Sequence, residues 1–265
     1  MNREPRQPTL FIPHGGGPCF FMDDPAGVWT GMEAFLRSIS SRLPSPPRAL
    51  LVVSGHWETD GFALTGAERP PLIYDYNGFP PHTYRLRYDA PGDPALAARA
   101  AKLLAAQEVA AKVDPRRGLD HGVFVPLKVA FPEADIPVVE MSVDRSLDPA
   151  LHLDAGRALA SLRDDGVLII ASGMSFHNMR GYGDARFTAP SEEFDRWLTE
   201  AVVLDSEARA KRLETWASAP AARLSHPEAE HLLPLMVAAG AADAPGRRIY
   251  SEHVLETAIS GFEFA

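Results

Sequence analysis

Apolar residues along the chain gather in short runs that lack the strict alternation of a half-buried strand. Four stand out: Thr9–Pro13, Ala49–Ser54, Pro137–Val143 and Val167–Ala171. Each is β-branched or leucine-rich, the pattern of strands buried on both faces of a parallel or mixed sheet. Between them the apolar period lengthens to that of helices, over Ala26–Ser40, Pro94–Ala106, Pro149–Leu162 and Ser191–Val203. A further helix is expected from Ser225 to Gly240, where Ser225 and Glu228 form a capping-box pair and Gly240 marks the stop. This alternation predicts an α/β fold: a single three-layer α/β/α domain over residues 1–265, with a mixed, largely parallel central sheet. The Pro-rich stretches "SRLPSPPRAL" and "ERPPLIYDYNGFPPHTY" read as surface connections.

The candidate chemistry lies where the predicted strands end. His14 follows the first strand in "LFIPHGGGP", His56 ends the second in "LLVVSGH", and His177 comes just past the fourth in "LIIASGMSFH". In open α/β sheets, ligands bind beyond the carboxyl ends of the strands, so these three histidines converge if their strands are neighbours. Neutral imidazole is the commonest metal-binding side chain, and two or three with open positions make a standard catalytic centre.

The run "HGGG" also suits an esterase oxyanion loop or a phosphate cradle. The first requires a Gly-x-Ser-x-Gly elbow; in "ASGMSFHN" His177 stands where the second glycine belongs. The second requires Gly-Lys-Ser/Thr or G-x-G-x-x-G, and "HGGGPCFF" supplies neither. The metal reading survives.

On the expected last helix, His226 and His231 are five residues apart and cannot both face one ion. His226 falls in the first turn, as a surface residue. His231 is either a ligand or a core-edge histidine bonded to a carbonyl. Asp120 either orients His121 or caps the helix that follows, and Gly122 leaves space beside the ring. His82, His152 and His253 are expected to be structural. No HExxH-like pairing offers an acidic general base; Glu58, two residues after His56, is the only near candidate for one, and also reads as an outer partner or a surface residue.

Seven segments together extend the picture: "PHGGGP", "VVSGHWE", "GFPPHTYRLRYDAPG", "GLDHGVFVPL", "IPVVEMSVD", "IIASGMSFHN" and "HPEAEHLLPL". In order and spacing they resemble the DODA-type extradiol aromatic ring-opening dioxygenases of the class III, LigB-like superfamily, which includes the 4,5-DOPA dioxygenases. The resemblance covers nearly the whole chain. It implies a three-layer α/β/α fold and insertion of O2 into a catecholic ring at a mononuclear non-heme centre. It implies His14, His56 and His231 as metal ligands. His177 matches an acid–base catalyst that also approaches the metal as a fourth ligand, and His121 matches a histidine that positions or deprotonates substrate. Fe(II) is the expected cofactor, because O2 activation needs a redox-active ion; Zn(II) suits the same donors but has no accessible redox state. The alternative is a zinc-dependent hydrolase using metal-activated water. Two features depart from the family pattern: His-Gly-Gly-Gly-Pro replaces His-Gly-Ser-Pro, and His82 is additional. Arg85, Arg87 and Arg180 read as surface cations or ion-pair partners, with a substrate carboxylate as their other use.

Composition narrows the partners. The 265 residues carry a formal charge of −9 with no Lys/Arg-rich run. That speaks against nucleic acid or an anionic membrane surface; the partners that the resemblance implies are a small catecholic substrate and O2. The single cysteine, Cys19, permits no internal disulfide, and the polar start "MNREPRQP" shows no leader pattern, so the expected compartment is the cytoplasm.

Overall fold

The computed structural model describes residues 5–265; Met1–Glu4, the start of the polar N-terminal stretch, lie outside the described residues. Eight strands form one mixed sheet: β1 (Thr9–Pro13), β2 (Ala49–Thr59), β3 (Phe62–Thr65), β4 (Ala111–Asp114), β5 (Val138–Asp144), β6 (Val167–Gly173), β7 (Gly246–Val254) and β8 (Thr257–Phe264), in the order β4-β3-β5-β2-β6-β1-β8-β7. Pairing is parallel through β5-β2-β6-β1 and antiparallel at β1-β8 and β7-β8. The helices are α1 (Thr30–Arg42), α2 (Pro94–Ala105), α3 (His121–Ala130), α4 (Pro149–Leu159), α5 (Thr188–Val202), α6 (Ser206–Glu214), α7 (Ala222–Ser225) and α8 (Leu233–Gly240).

The period-two geometry of strands explains the layers. Leu50, Val52, Leu168 and Ile170 enter a core shared with α1 and α3. Their neighbours Leu51, Val53, Ile169 and Ala171 enter the opposite core with α2, α4, α5 and α8. Both faces are covered, so the central strands read as unbroken apolar runs. None of the helices among the described residues is long and apolar enough to cross a membrane.

Three expectations need correction. The Ser225–Gly240 helix does not form as one piece. The chain ends α7 at Ser225, runs irregularly, and restarts at Leu233. The Ser225 hydroxyl has no partner, so the capping box is absent. Second, His226 is fully buried rather than superficial, with Nε2 2.9 Å from the Ser175 carbonyl. Burial brings its pKa down to about 3. Third, β2 runs past His56 to Thr59, with a register shift against β5 between Val53 and Glu58. His56 therefore sits within a bulge, a device that re-aims a side chain beside a site. The strands β3, β4, β7 and β8 had no sequence counterpart, and helix ends moved by a few residues.

Candidate metal centre

The order β2-β6-β1 makes the three strands that lead to His56, His177 and His14 direct neighbours. Their ends meet at one edge, as the strand-end argument requires. His231 arrives on the irregular stretch before α8. Met174 N–H takes the His231 carbonyl at 3.0 Å, which holds that stretch against the end of β6. The approach depends on Gly173, where a Cβ would overlap the His231 carbonyl. His121 opens α3. Gly122 does leave space beside a ring, and His56 fills it: a Cβ there would stand 2.7 Å from His56 Cδ2.

Four imidazoles, those of His14, His56, His121 and His177, line one cavity, and His231 packs against three of them. Ring centroids lie 4.8 Å apart for His14–His56, 5.2 Å for His14–His231, 4.6 Å for His56–His231 and 4.0 Å for His56–His121. His177 stacks on His231 at 3.4 Å. Burial holds His14 and His231 well below the ordinary histidine range and His56 at about 4, and the neighbouring imidazoles push the same way. All three are neutral at pH 7, the form that donates a lone pair.

Two carboxylates set the tautomers. Asp75 Oδ1 lies 2.8 Å from His121 Nδ1, and Oδ2 3.8 Å from His56 Nδ1. Glu230 Oε1 lies 2.8 Å from His231 Nδ1 and 3.4 Å from His177 Nδ1. Burial pushes both carboxyls up, but hydrogen bonds from His121 and His177 outweigh it and leave both below their usual values. An ionised carboxylate only accepts, so His121 and His231 carry hydrogen on Nδ1 and a lone pair on Nε2. His14 does the same through the Gly15 carbonyl, 2.9 Å from its Nδ1.

The donor set fits a metal ion. His14 Nε2 is buried without a partner, and His231 Nε2 faces His56 Nε2 at 3.2 Å. Nitrogens binding one ion at about 2.1 Å from neighbouring positions stand roughly 3 Å apart. A cation between them would bind both nitrogens, where without one they share at most a single hydrogen. His14, His56 and His121 also form one compact ligating group, and His177, Glu230 and His231 a second.

Asp75 and Glu230 escaped the sequence reading. Asp75 sits in the Pro-rich stretch taken for a surface connection, and Glu230 precedes His231 with no spacing signal of its own. Asp120 neither orients His121 nor caps α3 with its side chain. It accepts from Ser54 Oγ at 2.9 Å and from Arg117 at 3.1 Å. Ser54 Oγ in turn accepts from His56 N–H, and the Asp120 N–H donates to Glu140. Glu58 stays exposed, and His82, His152 and His253 each have partners away from the cavity.

Burial and the adjacent Asp120 carboxylate push the Glu140 carboxyl well above the usual range, against the pull of Arg117. The folded chain therefore keeps this proton where the unfolded chain has lost it. Stability falls as pH rises from the unfolded value of roughly 4.3 toward the raised folded one. Glu140→Gln removes that loss and gains a few degrees in Tm at pH 9, about 2–4 °C per kcal/mol relieved in a chain of this size. Thermal melts from pH 5 to 9 check it; parallel curves for parent and variant would refute the assignment.

Residues 8–262 match the family described as the catalytic LigB subunit of aromatic ring-opening dioxygenase. The dioxygenase tasH of Hapsidospora irregularis is 42% identical over 260 residues, which cover 89% of this chain and 78% of that protein. A 4,5-DOPA dioxygenase extradiol of Beta vulgaris is 42% identical over 240 residues, 88% of this chain and 86% of its own length. The protein of that name from Escherichia coli K12 is 36% identical over 244 residues, covering 90% and 86%. The crystal structure of an uncharacterized Escherichia coli K12 protein superposes with a TM-score of 0.78 at 28% identity, over 98% of this chain and 100% of that one. With the sheet, its neighbours and the sequence match in agreement, the chain belongs to the LigB family of aromatic ring-opening dioxygenases.

Proposed function

We propose that residues 1–265 form one extradiol dioxygenase unit that opens a catecholic ring beside its two hydroxyls, at a mononuclear Fe(II) centre held by His14, His56 and His231. The observation that supports this most directly is the clustering of these imidazoles: His14 Nε2 is buried without a partner, and His231 Nε2 faces His56 Nε2 at 3.2 Å, beside His121, whose Nδ1 is held by Asp75. Bound there, Fe(II) supplies Lewis acidity toward the catechol oxygens and a path for electrons to O2; Zn(II) fits the same donors without the second property.

The chain's own groups handle the protons. His121 Nε2 accepts a proton from a catechol hydroxyl, while Asp75 holds the opposite Nδ1–H and stabilises the imidazolium that results. His177, oriented from Glu230, returns a proton to the departing oxygen. The carbon–carbon bond next to the diol breaks, and both atoms of O2 enter the product as an aldehyde and a carboxylic acid. No other oxidant or reductant is required. The buried Cys19 suits the cytoplasm, the compartment this reading assigns.

Anaerobic loading with Fe(II), then addition of a catechol and O2, is expected to consume one O2 per catechol and give a yellow ring-opened semialdehyde. Absence of O2 uptake across a panel of catechols and aminophenols overturns the reading. Chelator-sensitive hydrolysis indifferent to O2 would replace it with the zinc hydrolase.

A further inference from the structure

The histidines form one side of a cavity of about 340 Å³. That lies at the small end of ligand sites, with space for one aromatic ring and part of a substituent. Its other walls are Trp29, Tyr76, Phe79, Met174 and Tyr182. The tyrosines present only their rings, since Tyr76 Oη donates to the Thr83 carbonyl and Tyr182 Oη to the Phe176 carbonyl, both at 2.7 Å. No lysine, arginine or carboxylate of the described residues lines the cavity; Asn77 is the one amide. Asp75 and Glu230 stand behind the histidines and are engaged by them.

Two of the three glycines after His14 let the aromatic walls approach. A Cβ on Gly16 would stand 3.3 Å from the Trp29 ring. At Gly17, whose φ is +56°, a Cβ would press on the Phe79 ring at 2.8 Å. Side chains at these two positions would meet the Trp29 and Phe79 rings.

The mouth is apolar as well. Met179 is 73% exposed and Leu255 39% exposed, and both line the opening. Leu255 occupies the β7–β8 turn with φ +48°, followed by Glu256 at +68°. Such a turn favours Asn-Gly. A leucine held there against its backbone preference keeps a hydrophobe at the rim, and strain of this kind gathers at functional sites.

Arg85 and Arg180 are exposed, Arg87 pairs with Asp89, and none of the three lines the cavity. A catechol bearing a carboxylate or an ammonium group would find no side chain of opposite charge in the cavity or at its apolar rim, and partly desolvating that charge there is costly. We infer that the substrate is a catechol whose ring substituent is uncharged and apolar, extending past Met179 and Leu255. The inference rests on the ring-cleavage reading and separates this chain from its relatives named for DOPA, an amino acid.

The test uses 4-butylcatechol, L-DOPA and 3,4-dihydroxyphenylacetate in two arms. Calorimetry on the metal-free chain under nitrogen reads binding; O2 uptake by the iron-loaded chain reads kcat/KM. Butylcatechol is expected to exceed both charged probes by about a hundredfold in each arm. Leu255→Asn suits the turn and puts an amide on the rim, so KM for butylcatechol rises by a larger factor than KM for unsubstituted catechol. Met179→Arg narrows the gap for dihydroxyphenylacetate. Equal or tighter binding of L-DOPA overturns the inference and leaves ring cleavage standing. Selective binding of butylcatechol with no O2 uptake from any catechol supports the pocket assignment and overturns ring cleavage. Failure of all three probes to bind overturns the inference.

Discussion

On the proposed ligand set, the variant His56→Ala is expected to lose metal binding and ring-cleaving activity together. Its imidazole is the hub of the cluster, within 5 Å of the rings of His14, His121 and His231. Losing an outer partner of a ligand costs roughly 10–100-fold in affinity or activity, so removing the ligand itself is expected to lower kcat/KM by more than about 100-fold. Metal content after dialysis against Fe(II), read beside O2 uptake, checks both halves. The fold is expected to survive, because the ring lies at the sheet edge and the apolar residues of β2 lie deeper. Full metal retention with unchanged turnover would remove His56 from the ligand set.

The second large effect comes from a change of a single atom type. Asp75→Asn keeps the shape of the side chain but can donate as well as accept. His121 is then free to place its hydrogen on Nε2, where it cannot take a proton from substrate. The expected fall in kcat is about 10²–10⁴-fold, the range of a lost general base. KM changes little, because Asp75 does not line the cavity. Measuring at saturating Fe(II) separates this from weaker ion binding through His56. A kcat within threefold of the parent would show that Asp75 does not set the tautomer. A shift in the acid limb of the pH–rate profile would mark its electrostatic part.

Much of this site was legible because strands end abruptly. The runs leading to His14, His56 and His177 are short and apolar, so their ends can be counted from the sequence. Their adjacency could not be, because β1 pairs with β6 across most of the chain. His231 was placed through family resemblance and assigned to the wrong local structure. Ser225 and Glu228 imitate a helix start, but the His231 carbonyl is drawn out of helical bonding by Met174 N–H, a tertiary partner that no local pattern announces. Asp75 and Glu230 were invisible for a related reason: a carboxylate that orients an imidazole needs proximity, and no fixed spacing records it. The β7–β8 hairpin was missed because Leu255-Glu256 has none of the usual turn chemistry.

The place of β1 has a consequence for how the molecule is made. Thr9 pairs with Ile169 on one side and Phe264 on the other, so the earliest strand is flanked by one from late in the chain and one from its far end. Contacts of such long range make folding slow, and this strand stays half-paired until residue 264 has left the ribosome. His14 gains its fixed position only then. Removing β8 would therefore silence the enzyme although none of the histidines lies on it, and a slow folding step limited by closure of that last strand should appear in refolding kinetics.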